Sequence, residues 1–204
     1  ELDTPGHSIH DVWIEDGIAY SSNWADGIVA VDIGAKKHKE SDRSKSQFNP
    51  LLAKAGQGSP SNPVKLAEMK DPTGRNHAAF PYLNEETGQF YIIGGDENFP
   101  WGVQATKNKP SNPRGGYHFM NFTDPNNPRE DAIYEVPEAG SHNLWIYGDI
   151  LLAGNYQGGL RIVDISGELL GDIYKQGREI AHYLSYHKDG RIPNAPMVWG
   201  AQPY

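Results

Sequence analysis

Polar and apolar positions alternate in short stretches along this chain, and turn residues interrupt them at close intervals. Val12-Trp13-Ile14 and Ile18-Ala19-Tyr20 flank Glu15-Asp16-Gly17, which predicts a hairpin closed by an acidic turn containing glycine. A second turn, Asn23-Trp24-Ala25-Asp26-Gly27, leads into Ile28-Val29-Ala30-Val31-Asp32-Ile33, a run too uniformly apolar to keep one face in water. The expected unit is three consecutive antiparallel strands, the third buried on both faces.

That unit is written again. Residues 10–33 align without a gap on residues 142–165, with 9 of 24 positions identical and 22 residues from His to Asp in both copies. Self-similarity of this kind marks units that cannot cover their own apolar faces and must stack on a neighbour. A fourth strand is expected after each copy, at residues 64–69 and at 169–174. A middle copy supplies Asn76-His77-Ala78-Ala79-Phe80, then strands at 89–93, 117–122 and 132–136, with Asn121 where the others have Asp32 and Asp164. Met197-Val198-Trp199-Gly200-Ala201-Gln202 reads as the first strand of a further unit, with Trp199 or Gly200 near the histidine position.

Four short strands per unit describe β-propeller blades, so the expected fold is all-β. One blade covers 10–75 with an insertion at 34–62, a second covers 76–140 with an insertion at 97–114, a third covers 141–181, and the next starts within 195–204. Three blades and one strand cannot close a ring without bare edges. The chain is therefore expected to be part of a longer propeller, in keeping with the absence of an initiating Met.

The residues His10-Asp11-Val12-Trp13-Ile14 and the strand ending Val163-Asp164-Ile165 resemble the LVIVD repeat family, bacterial β-propeller proteins mostly predicted to be exported. Asp124-Pro125-Asn126-Asn127-Pro128 is similar to that family's D-P-x-x-P turn after the third strand. The resemblance covers nearly the whole chain and implies a propeller in the periplasm, on the cell surface or secreted. It implies no reaction, because propellers host both enzymes and binding platforms.

Composition narrows the classes further. Cysteine is absent, which excludes disulfides, thiol catalysis and Cys-ligated metal. A net charge of −8 argues against a nucleic-acid surface, and the basic stretch from Lys36 to Lys45 is interleaved with Glu40 and Asp42 as a solvated loop. No apolar run approaches the length of a membrane-spanning helix. Serine-hydrolase elbows, zincin motifs and phosphate-binding loops are all missing from the sequence.

His10, His77 and His142 hold one equivalent position in three blades. As structural residues they would brace the repeat, each bonded to backbone or to the acid at Asp32, Asn121 or Asp164, since a buried carboxylate must be satisfied. The alternative is that the imidazoles converge on the axis and hold Fe, Cu or Zn, as histidines from different blades do in carotenoid-cleavage oxygenases. The bracing role is the expectation, and no cofactor is predicted. His7 and His10 share a metal only if His7 lies in a loop. Asp26 and Asp96-Glu97-Asn98 offer oxygens for Ca²⁺, but without a calcium-loop motif they read as turn residues. Asn121-Phe122-Thr123 matches the glycosylation sequon in a strand expected to be buried.

Trp24, Tyr156 and the inserted Trp101 fall in the same inter-strand turn of successive blades and are expected on one rim, as recognition residues or as packing plugs. The leading expectation is a non-catalytic module that binds a protein or other macromolecule through rim loops. A metal-dependent enzyme at the axial channel is the alternative.

Overall fold

The computed structural model describes residues 9–39, 48–98, 115–137, 139–186, 189 and 196–204. Its regular structure is β-strand, with one 3-10 turn, Pro50–Ala53, and no α-helix among the described residues. Its strands form three sheets, antiparallel apart from one short parallel pairing.

The first sheet has the order β1-β2-β3-β4, from Asp11–Glu15, Ile18–Ser22, Ile28–Asp32 and Val64–Met69. Asp16 (φ 51°) and Gly17 (φ 78°) close the β1–β2 hairpin in the left-handed conformation that two-residue hairpin loops demand. As expected from its composition, β3 is buried at every position. A break in register between Ala30 and Val31 interrupts its pairing with β4.

The middle sheet has the order β12-β8-β7-β6-β5 and is built from Asn76–Asn84 (β5), Gln89–Asp96 (β6), Tyr117–Asn121 (β7), Arg129–Tyr134 (β8) and Gly171–Asp172 (β12). Gly94 and Gly95 lie within β6. A Cβ on Gly95 would stand 2.7 Å from Leu144 Cδ2 and 3.0 Å from the His142 carbonyl oxygen, so close approach is what requires glycine there.

The third sheet has the order β13-β11-β10-β9, from Leu144–Tyr147 (β9), Ile150–Gly154 (β10), Leu160–Asp164 (β11) and Glu179–Tyr183 (β13). Here the sequence expectation is corrected. Residues 169–174 do not supply its fourth strand: Gly171 and Asp172 pair in parallel with Ala132 and Ile133 of β8, and β13 takes the place beside β11. The third unit therefore runs to Tyr183, past the expected boundary at 181.

By density of contacts the chain divides into two compact units, residues 1–94 with 119–131, and residues 95–118 with 132–204. The core of the first unit joins Ile18, Tyr20, Ile28 and Ala30 of the first sheet to Ala79, Phe90, Ile92, Met120 and Phe122, with Leu51 and Leu52 of the insertion packed among them. In the second unit Tyr117, Leu144, Leu151, Ala153 and Val163 are each at most 2 % exposed.

Candidate functional site

The acid of the repeat turns out to cap a turn. Asp164 Oδ1 accepts from Ser166 N at 2.9 Å and Asn121 Oδ1 accepts from Thr123 N at 2.9 Å. Asp32 Oδ1 likewise accepts from Gly34 N at 2.9 Å, so all three sheets end their third strand in the same Asx turn. The expected bond from histidine to this acid is not the one formed: backbone N–H groups take both oxygens of Asp32, and Ser166 N and Oγ take Oδ1 of Asp164.

Asp32 carries this furthest. Besides Gly34, its carboxylate accepts from Ala35 N, and its second oxygen accepts from Gly56, Gln57 and Gly58 N at 2.8–3.0 Å. Burial pushes its pKa up, but the donors from Gly34, Gly58, Ala35 and Gly56 outweigh burial and hold the group well below the usual carboxylate range. Gly58 passes so near that a Cβ would lie 2.1 Å from the Asp32 carbonyl oxygen. One buried carboxylate thus pins both ends of the described insertion to the end of β3.

The histidines sit in aromatic clusters. His10 lies with ring centroids 4.3 Å from His77 and 4.5 Å from Trp24, all in the first unit. In the second unit His142 meets Tyr156 edge-on at 5.3 Å and stacks on Trp199 at 5.6 Å and 21°. The two clusters correspond position for position. Trp24 and Tyr156 both adopt positive φ, 51° and 37°, a strained choice for bulky residues that recurs at one repeat position. Trp24 N donates to Asn76 O at 3.0 Å, Tyr156 N to Val198 O at 2.8 Å, and Asn98 N makes the same bond to Ser141 O at 3.1 Å. Each acceptor stands one residue before His77, Trp199 and His142, so Trp199 occupies the histidine position of the following copy.

Of the rim aromatics, Trp24 is half-buried, Tyr156 is only 4 % exposed and acts as a packing plug, and Trp101 lies outside the described residues. His7 lies outside them too. Asn121 Nδ2 is taken up by Gln89 Oε1 at 3.1 Å and Asp131 Oδ2 at 2.6 Å, which leaves the sequon asparagine buried and engaged.

Two groupings were missed in the sequence. Asp96 Oδ2 lies 3.2 Å from His118 Nε2, both side chains at most 1 % exposed. Glu97 Oε1 accepts from the Tyr156 hydroxyl at 2.9 Å and lies 3.7 Å from His142 Nε2. Burial first, then the adjoining Glu97 carboxylate, raises the Tyr156 pKa, so this phenol stays protonated and remains the donor. The sequence signal was weak: Asp96 and Glu97 were visible as acids of the turn after the second strand, while their partners lie at least 20 residues away.

A cleft of about 1120 Å³ lies in the first unit where the β1–β2 and β5–β6 turns and the insertion meet. Glu15, Asp16 and Glu85 line it on the turns, Lys36, His38 and Asn49 on the insertion, and Leu52 and Phe90 are among its apolar groups. Asn49 Nδ2 donates to the Tyr20 hydroxyl at 2.8 Å and Asn49 Oδ1 caps the 3-10 turn, so this wall is fixed from within.

These features define an all-β protein of three sheets with a walled polar cleft in the first unit. No family model, curated protein or solved structure matches the chain. No helix among the described residues is long and apolar enough to cross a membrane.

Proposed function

We propose that this chain is part of an exported β-propeller of the LVIVD repeat kind, and that it is a non-catalytic module binding a protein or other macromolecule. The recurring bonds from Trp24, Asn98 and Tyr156 to the first strand of the following copy support the repeat on which this reading rests. The observation that carries the binding reading is the contrast between repeated and unrepeated residues. The repeated acid is consumed as a turn cap, whereas the insertion at 34–62 occurs once and walls the cleft. A loop held rigid before its partner arrives loses little entropy on binding, which is what a recognition surface needs.

Recognition then runs through the cleft-side rim, with Glu15, Asp16 and Glu85 facing Lys36 and His38 across an open polar surface. The test is site-specific photocrosslinking from position 16 or 85 in a whole-cell extract, with position 175, an exposed site in the other unit, as control. One discrete protein crosslinked at 16 and 85 and absent at 175 is the expected result. Equal labelling at all three positions overturns the cleft as the binding surface.

A further inference from the structure

The cleft of the first unit has walls of opposite charge that do not meet. Glu15, Asp16 and Glu85 line it from the two turns, and Lys36 and His38 line it from the insertion. Among the described residues Asp16, Glu85 and Lys36 make no ion pair, so charges gathered into one cleft are left unspent. Trp13 Nε1 donates to Glu15 Oε2 at 3.1 Å, which fixes that carboxylate and leaves its second oxygen for another donor. Two further groups hold a hydrogen in reserve. His38 Nδ1 is buried without a hydrogen-bond partner among the described residues, so the neutral ring carries its proton on Nε2 and offers a donor there. Tyr20 is 1 % exposed, and its hydroxyl accepts from the cleft-lining Asn49 at 2.8 Å but donates to no described group. Burial above all, with the charges of Glu15 and Asp16 added, raises the Tyr20 pKa and keeps that donor protonated.

A simple ion cannot satisfy both walls, because a cation is opposed by Lys36 and an anion by the three carboxylates. A ligand carrying both signs is favoured by each. The volume, about 1120 Å³, lies just above the usual range for small-molecule sites and has room for a short segment of polypeptide. Leu52 and Phe90, also in the lining, suit the aliphatic part of such a group. We propose that the cleft recognises a zwitterionic group, with an ammonium or guanidinium held by Glu15, Asp16 and Glu85 and a carboxylate held by Lys36 and His38. This assignment rests on the cleft being a binding surface and gives its partner a chemistry: a basic and an acidic side chain close together on one segment. A free amino acid is the other source of the same chemistry.

The experiment is fluorescence anisotropy of the full chain with labelled, end-capped heptapeptides that carry one arginine and one aspartate, one to three residues apart in a Gly-Ser background. Saturable binding is expected for at least one spacing, weakened about threefold in Glu85→Gln and in Lys36→Gln and reduced by added salt. Both residues are exposed, so the urea midpoints should stay at the parent value. Glu85→Gln should leave unchanged the weaker binding of a peptide with glutamine in place of arginine, whereas a merely structural role would lower both. Equal affinity for charged and neutral peptides at every spacing, or variants that lose nothing, overturns the proposal. A protein crosslinked at positions 16 and 85 beside that result leaves the binding surface standing and removes only its zwitterion chemistry. Displacement of the bound peptide by free arginine keeps the zwitterion site and overturns the macromolecular partner, while resistance to free arginine assigns the site to a segment of a partner protein.

Discussion

The first and third sheets are built from one sequence pattern and end in different surroundings. Ile18, Tyr20, Ile28 and Ala30 are at most 1 % exposed, whereas Ile150, Leu152, Leu160 and Ile162, at the same places in the repeat, are all half-buried. What differs is the cover. The first face packs on Ala79, Phe90, Ile92, Met120 and Phe122, with Leu51 and Leu52 of the insertion closing one side. Alternation along a strand specifies which side is apolar, while the neighbour decides how far that side is removed from water.

The largest test of this comparison is a pair of truncations. Tyr20→Ala removes a buried ring together with the hydroxyl that accepts from Asn49, and should cost about 4 kcal/mol in urea unfolding. Leu152→Ala, at the equivalent but half-buried place, should cost roughly 1 kcal/mol. Equal losses would mean that the third-sheet face is as well covered as the first and would break the contrast.

The turn caps give the second contrast. Asp32→Ala strands five backbone donors and should cost about 3 kcal/mol, whereas Asp164→Ala loses the bonds from Ser166 N and Oγ and should cost about 1 kcal/mol. Both acids have lowered pKa values, Asp32 because its backbone donors outweigh burial and Asp164 chiefly through the Ser166 hydroxyl. A lowered folded pKa means that the unfolded chain binds the proton more readily. The stabilisation is then complete above the unfolded value of about 3.9 and is lost as pH falls toward the folded value. Unfolding free energy followed from pH 6 to pH 2.5 should decline below about pH 4, and Asp32→Asn should remove more of that slope than Asp164→Asn. A slope unchanged in Asp32→Asn would show that other carboxylates set the acid limit.

How much of this was legible follows from where each signal is stored. The hairpins and the buried β3 could be read because alternation and turn residues are local. The fourth strand of the third sheet was misplaced because residues 169–174 contain Leu169 and Ile173, both at most 1 % exposed, and look like a core strand. β13 is by contrast mostly exposed and is held by Glu179, whose two carboxylate oxygens accept from Arg161 Nη1 at 3.0–3.1 Å and which also accepts from the Tyr134 hydroxyl at 2.7 Å. Hydrophobicity identified the buried segment, while a polar cluster determined the pairing. Asp32 was read as a partner for histidine because a side chain can be seen in a sequence and the peptide N–H groups of residues 56–58 cannot. Glu97 appeared as one acid in a turn, since His142 and Tyr156 lie 45 and 59 residues further along.

The middle sheet offers the smallest and most specific test, at the one position where the repeat departs from aspartate. Asn121 keeps the turn bond to Thr123 N at 2.9 Å, but its Nδ2 also donates to Asp131 Oδ2 at 2.6 Å. An aspartate there would retain the turn, lose that donor and set one carboxylate against another, so the departure follows from Asp131 rather than from the turn. Asn121→Asp should cost about 1 kcal/mol at pH 7, since like charges at hydrogen-bond distance oppose joint ionisation. Repulsion raises the pKa of one member above its unfolded value, so the penalty is greatest at neutral pH and shrinks as that group takes up its proton. Urea midpoints at pH 7 and pH 4.5 would show the variant approaching the parent at the lower value. Adding Asp131→Asn should restore most of the loss at pH 7, and a double variant no more stable than Asn121→Asp would mean that the turn itself, and not its neighbour, demands the amide.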